Sequence, residues 1–158
     1  MTDTTTREML ARALAWHDAH ADFDGAVKGI PARDRGTVPP GVPYSAWQLV
    51  EHLRIAQHDI LEFCVADEYH ERQWPDDYWP KTPGPPSDAA WERSLAAVRK
   101  DCDGLQKLAL DASIDLDAKV PNGNGQTWLR ELLLAIDHNA YHVGQLVLVR
   151  RLLGDWGG

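Results

Sequence analysis

The sequence predicts an all-α four-helix bundle, on three observations. Apolar residues recur at three- and four-residue steps in four separate stretches. Each stretch opens on a Ser, Thr or Asp able to cap a helix. No run alternates apolar and polar residues as a half-buried strand would, and no internal repeat is visible. With 158 residues the chain has the size of one domain and enough apolar material for a core, so residues 1–158 read as a single unit.

The first helix is expected from the capping box Thr5-Thr6-Arg7-Glu8, with Met9, Leu10, Ala13, Leu14, Trp16 and Ala21 following at helical steps until Gly29. The next stretch, IPARDRGTVPPGVPY, holds four prolines and two glycines and cannot continue a helix. It reads as an ordered connection over one end of the domain. Ser45-Ala46-Trp47-Gln48 is a second capping box, and Leu49, Leu53, Ala56, Ile60 and Phe63 mark the buried stripe of the second helix. His52 lies along the edge of that stripe.

Residues 68–86 are rich in proline and aromatics, too long for a simple helical hairpin connection and too aromatic for a disordered linker. Extended, such a segment covers roughly 60 Å, enough to travel the bundle and set the second and third helices parallel. Ser87 or Asp88 caps the third helix, which buries Trp91, Leu95, Val98, Cys102, Leu105 and Leu108. A turn at Asn122-Gly123-Asn124-Gly125 precedes the fourth helix, which begins at Thr127. That helix is apolar almost all round. Leu129, Leu132, Leu133, Ile136, Ala140, Val143, Leu146, Val147 and Leu152 exceed what one core stripe needs, so a homodimer with this helix at or near the interface is expected.

Composition narrows the function classes. A net charge of −8, with no run of Lys and Arg among aromatics, opposes a phosphate backbone and argues against nucleic acid. The opening MTDTTTREML has no signal-peptide pattern, and aliphatic runs such as 132–136 are too short for a bilayer, so the expectation is no membrane and a cytoplasmic location. The only two cysteines, Cys64 and Cys102, sit inside helical patterns far apart and read as buried or half-buried thiols of a reducing compartment. Of the seven tryptophans, Trp47, Trp91 and Trp128 stand near helix starts, where they would close a bundle end or line a pocket mouth.

The residues that could carry chemistry lie in DHNAYHVGQLVLVRRLLG, 137–154. His138 and His142 are one turn apart, about 40° from each other around a helix. Two imidazoles so placed can meet one divalent cation at about 2.0–2.1 Å per bond if a third ligand arrives from another helix, and His52 is the candidate. Gln145, three residues after His142, could orient a ligand; Asp137 and Tyr141 flank the stripe about 100° away. The same pair also fits two core-edge histidines, each satisfied by a neighbour. Asn139 stands where a metalloprotease helix would carry its glutamate base, so the motif is not that of a zinc protease. His58 points about 120° away from His52, and Asp59 sits about 10 Å along the helix, so neither can share the ion. His17 and His20 are weaker rivals on the first helix. In WPDDYWP, 74–80, a lid or pocket wall made of Trp74, Asp76, Asp77, Tyr78 and Trp79 competes with the simpler reading that Trp74 and Trp79 pack over exposed bundle edges. GNGQT, 123–127, is explained by a turn and a cap, and Cys64 has no basic neighbour in sequence to activate it.

EHLRIAQHDILEF followed far downstream by DHNAYHVGQLVLVRRLLG resembles the DinB/YfiT-like family of four-helix metalloproteins over nearly the whole chain, and WPDDYWP resembles a segment of one of its branches. The resemblance implies an up-down-down-up bundle and one divalent ion per chain on His52, His138 and His142. Zinc or nickel suits such imidazole ligands. It further implies a metal-dependent small-molecule enzyme, either an S-transferase using a low-molecular-weight thiol or a hydrolase. The alternative is a non-catalytic metal-binding or stress-responsive dimer. A bundle that has lost its metal is disfavoured because all three histidines are present.

Overall fold

The computed structural model of the protein describes residues 3–15 and 18–157. Among them the chain forms α1 (Asp3–Leu14), the short α2 (Phe23–Val27), α3 (Ala46–Val65), α4 (Asp88–Leu110) and α5 (Trp128–Leu153). There is no strand among the described residues; one isolated antiparallel bridge joins Lys119 to Thr127. None of these helices is long and apolar enough to cross a membrane.

Caps set three of the four long helices where local sequence puts them. Ser45 and Gln48 exchange their capping-box hydrogen bonds at the start of α3, Ser87 rather than Asp88 caps α4, and Thr127 caps α5. Helix α5 ends at Gly154, whose φ of 73° turns the chain in the left-handed region.

The expected first helix is corrected. It does not run to Gly29 but stops at Leu14, and a fresh start follows when Asp22 accepts the Gly25 N–H at 2.7 Å to cap α2. The Asp22 side chain accounts for the separate start of α2, which apolar periodicity alone does not reveal. The helix also begins at Asp3, so the Thr5–Glu8 box lies inside it; residues that cap also fit a first turn, which lets the start slide. Trp16 and His17 lie outside the described residues.

Helix α3 packs on α4 and α5, α1 packs on the same two, and α2 lies against α5. Along α3 and α4 the partners advance together: Glu51 meets Ser94, Gln57 meets Val98 and His58 meets Asp101. These two helices therefore run in the same sense, with the crossover 66–87 between them. Along α1 and α4 the order reverses, Arg7 reaching Ala109, Gln106 reaching Ala11 and Cys102 reaching Leu14. It reverses again along α3 and α5, where His52 meets His142 while Asn122, just ahead of α5, donates to Phe63 and Ala66.

The core has two parts. One gathers Val27, Trp47, Leu49, Leu53, Trp91, Leu95, Val143 and Leu146 at the end where α3 and α4 begin; the other gathers Leu10, Leu14, Ile60, Leu105, Leu132 and Ala135. Between them along α3 and α5 stand Gln57 and Asn139, whose side-chain amides are bonded at 2.6 Å. The two long connections also meet. A Cβ at Gly36 would come within 2.7 Å of the Gly84 Cα, so the backbones cross at a spacing only glycine permits, and Ser45 Oγ donates to the Pro83 carbonyl beside them.

Buried arginines tie the ends. Arg150 donates to the Ala26 carbonyl and to Asp155 while lying over the Trp156 ring. Arg7, 6% exposed, donates to the carbonyls of Asp111 at 2.7 Å and Ile114 at 2.5 Å, receiving the chain as it leaves α4. Removing that guanidinium leaves these part-buried carbonyls without their donor, so Arg7→Ala should cost roughly 1–3 kcal/mol of stability. Urea unfolding should show a lower midpoint at unchanged slope; an unchanged midpoint would refute this role for Arg7.

Candidate metal centre

Helices α3 and α5 run side by side in opposite senses, and the His52 ring enters the gap between the two turns of α5 that carry His138 and His142. The three ring centroids lie 4.5–4.9 Å apart. One ligand nitrogen from each ring lies within 4.8 Å of the others, and among the described residues no fourth His, Cys, Asp or Glu joins the group. His52 and His142 are buried at 1% and 7% exposure, and His138 is half-buried.

Hydrogen bonds select which nitrogen faces inward. His52 Nδ1 stands 2.9 Å from the Tyr78 carbonyl, which can only accept, so Nδ1 carries the proton and Nε2 keeps its lone pair. His142 Nδ1 likewise donates to Gln145 Oε1 at 2.7 Å. Nε2 of His138 is 3.0 Å from Nε2 of His52, slightly less than the ~3.3 Å edge of a tetrahedron with bonds of about 2.05 Å. The donor set therefore fits a divalent ion after a few tenths of an ångström of adjustment. Electrostatics agree. Burial, with the neighbouring His142 and His52 adding to it, pushes His138 down to about 4. Burial and His52 push His142 down to about 4, and burial lowers His52 as well, so all three rings are neutral at pH 7. The Asn139 side chain lies near enough to His138 to favour its protonated form. Even so, His138 Nδ1 and Asn139 Oδ1 are outside hydrogen-bond geometry, and both are buried without a partner.

The crossover walls this site. Trp79 stacks on His52 with centroids 3.9 Å apart and planes 1° from parallel, and Tyr44 stacks on the other face of Trp79 at 4.0 Å. Packing over a bare bundle edge was the simpler expectation for WPDDYWP; Trp79 packs instead on a candidate ligand. Trp74, 69% exposed, stands edge-on to His52 at 6.3 Å. Tyr78 gives its carbonyl to His52 and its hydroxyl to Asp59 at 2.6 Å, and Asp59 also receives Tyr69.

The remaining candidates divide. Gln145 touches His142, and Tyr141 lies with its ring 4.9 Å from His142 but is 64% exposed. Asp137 and Asp76 are exposed, and Asp77 is exposed with its carboxylate taken by the Gln73 N–H. His58 turns to Asp101 on α4, and His20 is exposed beside the Ala21 carbonyl, so neither joins the cluster. Sequence reasoning missed Tyr44, the Tyr78 carbonyl and the Gln57–Asn139 pair. Only the position of Tyr44, one residue ahead of the α3 cap, offered any signal. A cavity of about 190 Å³ is not lined by His52, His138 or His142; it is lined by Gln57 and Asn139 together with Leu53, Val98 and Val143.

A family model described as the DinB superfamily matches residues 15–146. No curated protein and no solved structure matches the chain.

The chain's own thiols stand apart from this centre. Burial pushes Cys64 up to about 12 and Cys102 up to about 11, so both stay protonated through the neutral range. In the native protein at pH 8 each should react with a disulfide reagent about a hundred-fold more slowly than free cysteine, and normally once unfolded. Fast native labelling of either would contradict that.

Proposed function

The chain belongs to the DinB superfamily, and on that membership together with the three convergent histidines we propose that it binds one divalent metal ion, zinc or nickel, through Nε2 of His52, His138 and His142. The observation that carries the reading is the pair of hydrogen bonds, to the Tyr78 carbonyl and Gln145 Oε1, that hold two of these rings with lone pairs inward. Three neutral imidazoles leave the ion its full double charge, and with no fourth protein ligand in the group among the described residues one position is left for a water or a thiol, toward which the ion acts as a Lewis acid.

We infer from this a metal-dependent enzyme acting on a small molecule, a transferase using a low-molecular-weight thiol or a hydrolase. The chain's residues would bind and shield the reacting groups. Trp79 and Tyr44 form a stacked wall against His52, and Trp74 and Tyr141 flank the cluster with exposed rings able to contact an organic group.

A non-catalytic metal-binding dimer is the second reading, and one surface favours the dimer under either. Leu133, Ala140, Tyr141, Gly144, Leu148 and Leu152 form an exposed stripe on α5, with open space in front of Gly144. Asp137 and Arg151 stand seven residues before and after Gly144 on that stripe. An antiparallel twofold crossing centred there would set Asp137 of one copy opposite Arg151 of the other, which makes the stripe self-complementary.

The protein purified without chelator should carry about one divalent ion per chain by elemental analysis, and His52→Ala, His138→Ala and His142→Ala should each weaken binding sharply. Full occupancy at wild-type affinity in all three would refute the ligand set. Titrating the cobalt-substituted protein with small thiols should produce thiolate-to-cobalt absorption. With no thiol response but fast water exchange the transferase reading fails and hydrolysis leads; with neither, both enzyme readings fail.

Light scattering across a dilution series should give a dimer that Leu148→Glu converts to monomer. A monomer throughout the micromolar range would overturn the twofold crossing.

A further inference from the structure

Each ring that gives Nε2 to a cation must carry its proton on Nδ1, and a buried Nδ1–H needs an acceptor. His52 has the Tyr78 carbonyl and His142 has Gln145 Oε1; the Nδ1 of His138 alone is buried without a partner. In the very next residue another buried polar atom, Asn139 Oδ1, is also unpartnered.

The polarity of the amides beside it is fixed from outside. The Val98 carbonyl can only accept, so Gln57 must turn Nε2 to it, at 2.7 Å. That leaves Gln57 Oε1 to receive Asn139 Nδ2, at 2.6 Å, and so presents Asn139 Oδ1 as an acceptor. Gln57 is itself 1% exposed and Asn139 Oδ1 is a buried atom.

We propose that Asn139 is the positioning residue for His138: its amide oxygen accepts the His138 Nδ1–H when Nε2 turns to the metal, and Gln57 holds that amide from the α4 backbone. The proposal rests on the metal-binding reading. One proton leaves Nε2 and one is carried at Nδ1, so the ring stays neutral. The α4 backbone, which supplies no ligand, is thereby coupled to the centre through Val98.

The test combines metal affinity with a direct view of the ring. In the zinc-loaded wild type, long-range ¹H–¹⁵N correlations should show His138 protonated at Nδ1. Asn139→Ala should bind zinc about 10–100-fold more weakly in chelator competition, and the thermal midpoint of the metal-free protein should fall as well, since the substitution strands Gln57 Oε1. Asn139→Asp, which keeps an acceptor oxygen but gives up the donor to Gln57 Oε1, should recover part of the affinity lost in Asn139→Ala. Equal affinity in wild type and Asn139→Ala, or His138 protonated at Nε2 with zinc bound, would overturn the proposal while leaving metal binding intact. Failure of the wild type itself to bind zinc would overturn the metal reading and this inference with it. The ring signals need only the wild type, so a poorly folding variant does not remove the test.

Discussion

The hydrogen bond from His52 Nδ1 to the Tyr78 carbonyl is the interaction around which the site end of the bundle is arranged. Leaving the Nδ1–H of a ring as buried as His52 unsatisfied is costly; its acceptor is a backbone carbonyl from outside α3, and the crossover 66–87 is the segment that delivers it. The same residue clips its hydroxyl to Asp59, about two turns along α3, so Tyr78 is held at both ends. With Tyr78 fixed, Trp79 is placed flat on the His52 ring and Tyr44 flat on Trp79. One acceptor thus joins a helix, a crossover and the connection ahead of α3.

What the sequence shows and what it hides follow the range of the interactions. Ser45-Gln48, Ser87 and Thr127 act on neighbours within three residues, so the starts of α3, α4 and α5 are legible from pattern alone. His138 and His142 are legible for the same reason, being one turn apart. His52 is visible as a lone histidine at the edge of an apolar stripe, and only the fold shows that it lies beside the other two. The separate start of α2 rests on an Asp cap, and apolar periodicity gives no weight to a cap. Stacking of Trp79 on His52 and the Gln57–Asn139 bond depend on residues 27 and 82 positions apart meeting in space, which no local rule encodes.

The bundle interior is not uniformly apolar at the level of this site. The amides of Gln57 and Asn139 separate two apolar clusters and form part of the wall of a cavity. Such a layer stabilises less than a filled apolar one, since amide hydrogen bonds gain little over those with water and a void forfeits dispersion contacts. What it supplies is register. An amide pair bonded in one polarity, anchored on a backbone carbonyl, matches α3, α4 and α5 at a single longitudinal setting, where leucines would tolerate a slide.

The crossing of Gly36 and Gly84 bears on how such a scaffold diversifies. Surface connections are ordinarily where insertions and deletions accumulate. Here the two connections that carry Tyr44 and Trp79 are locked backbone to backbone, so a change of length in either would be passed to the other and on to the stacked rings. The connection 111–127 neither crosses another loop at glycine nor carries an aromatic stacked at the histidines, so a change of length there would leave those rings in place.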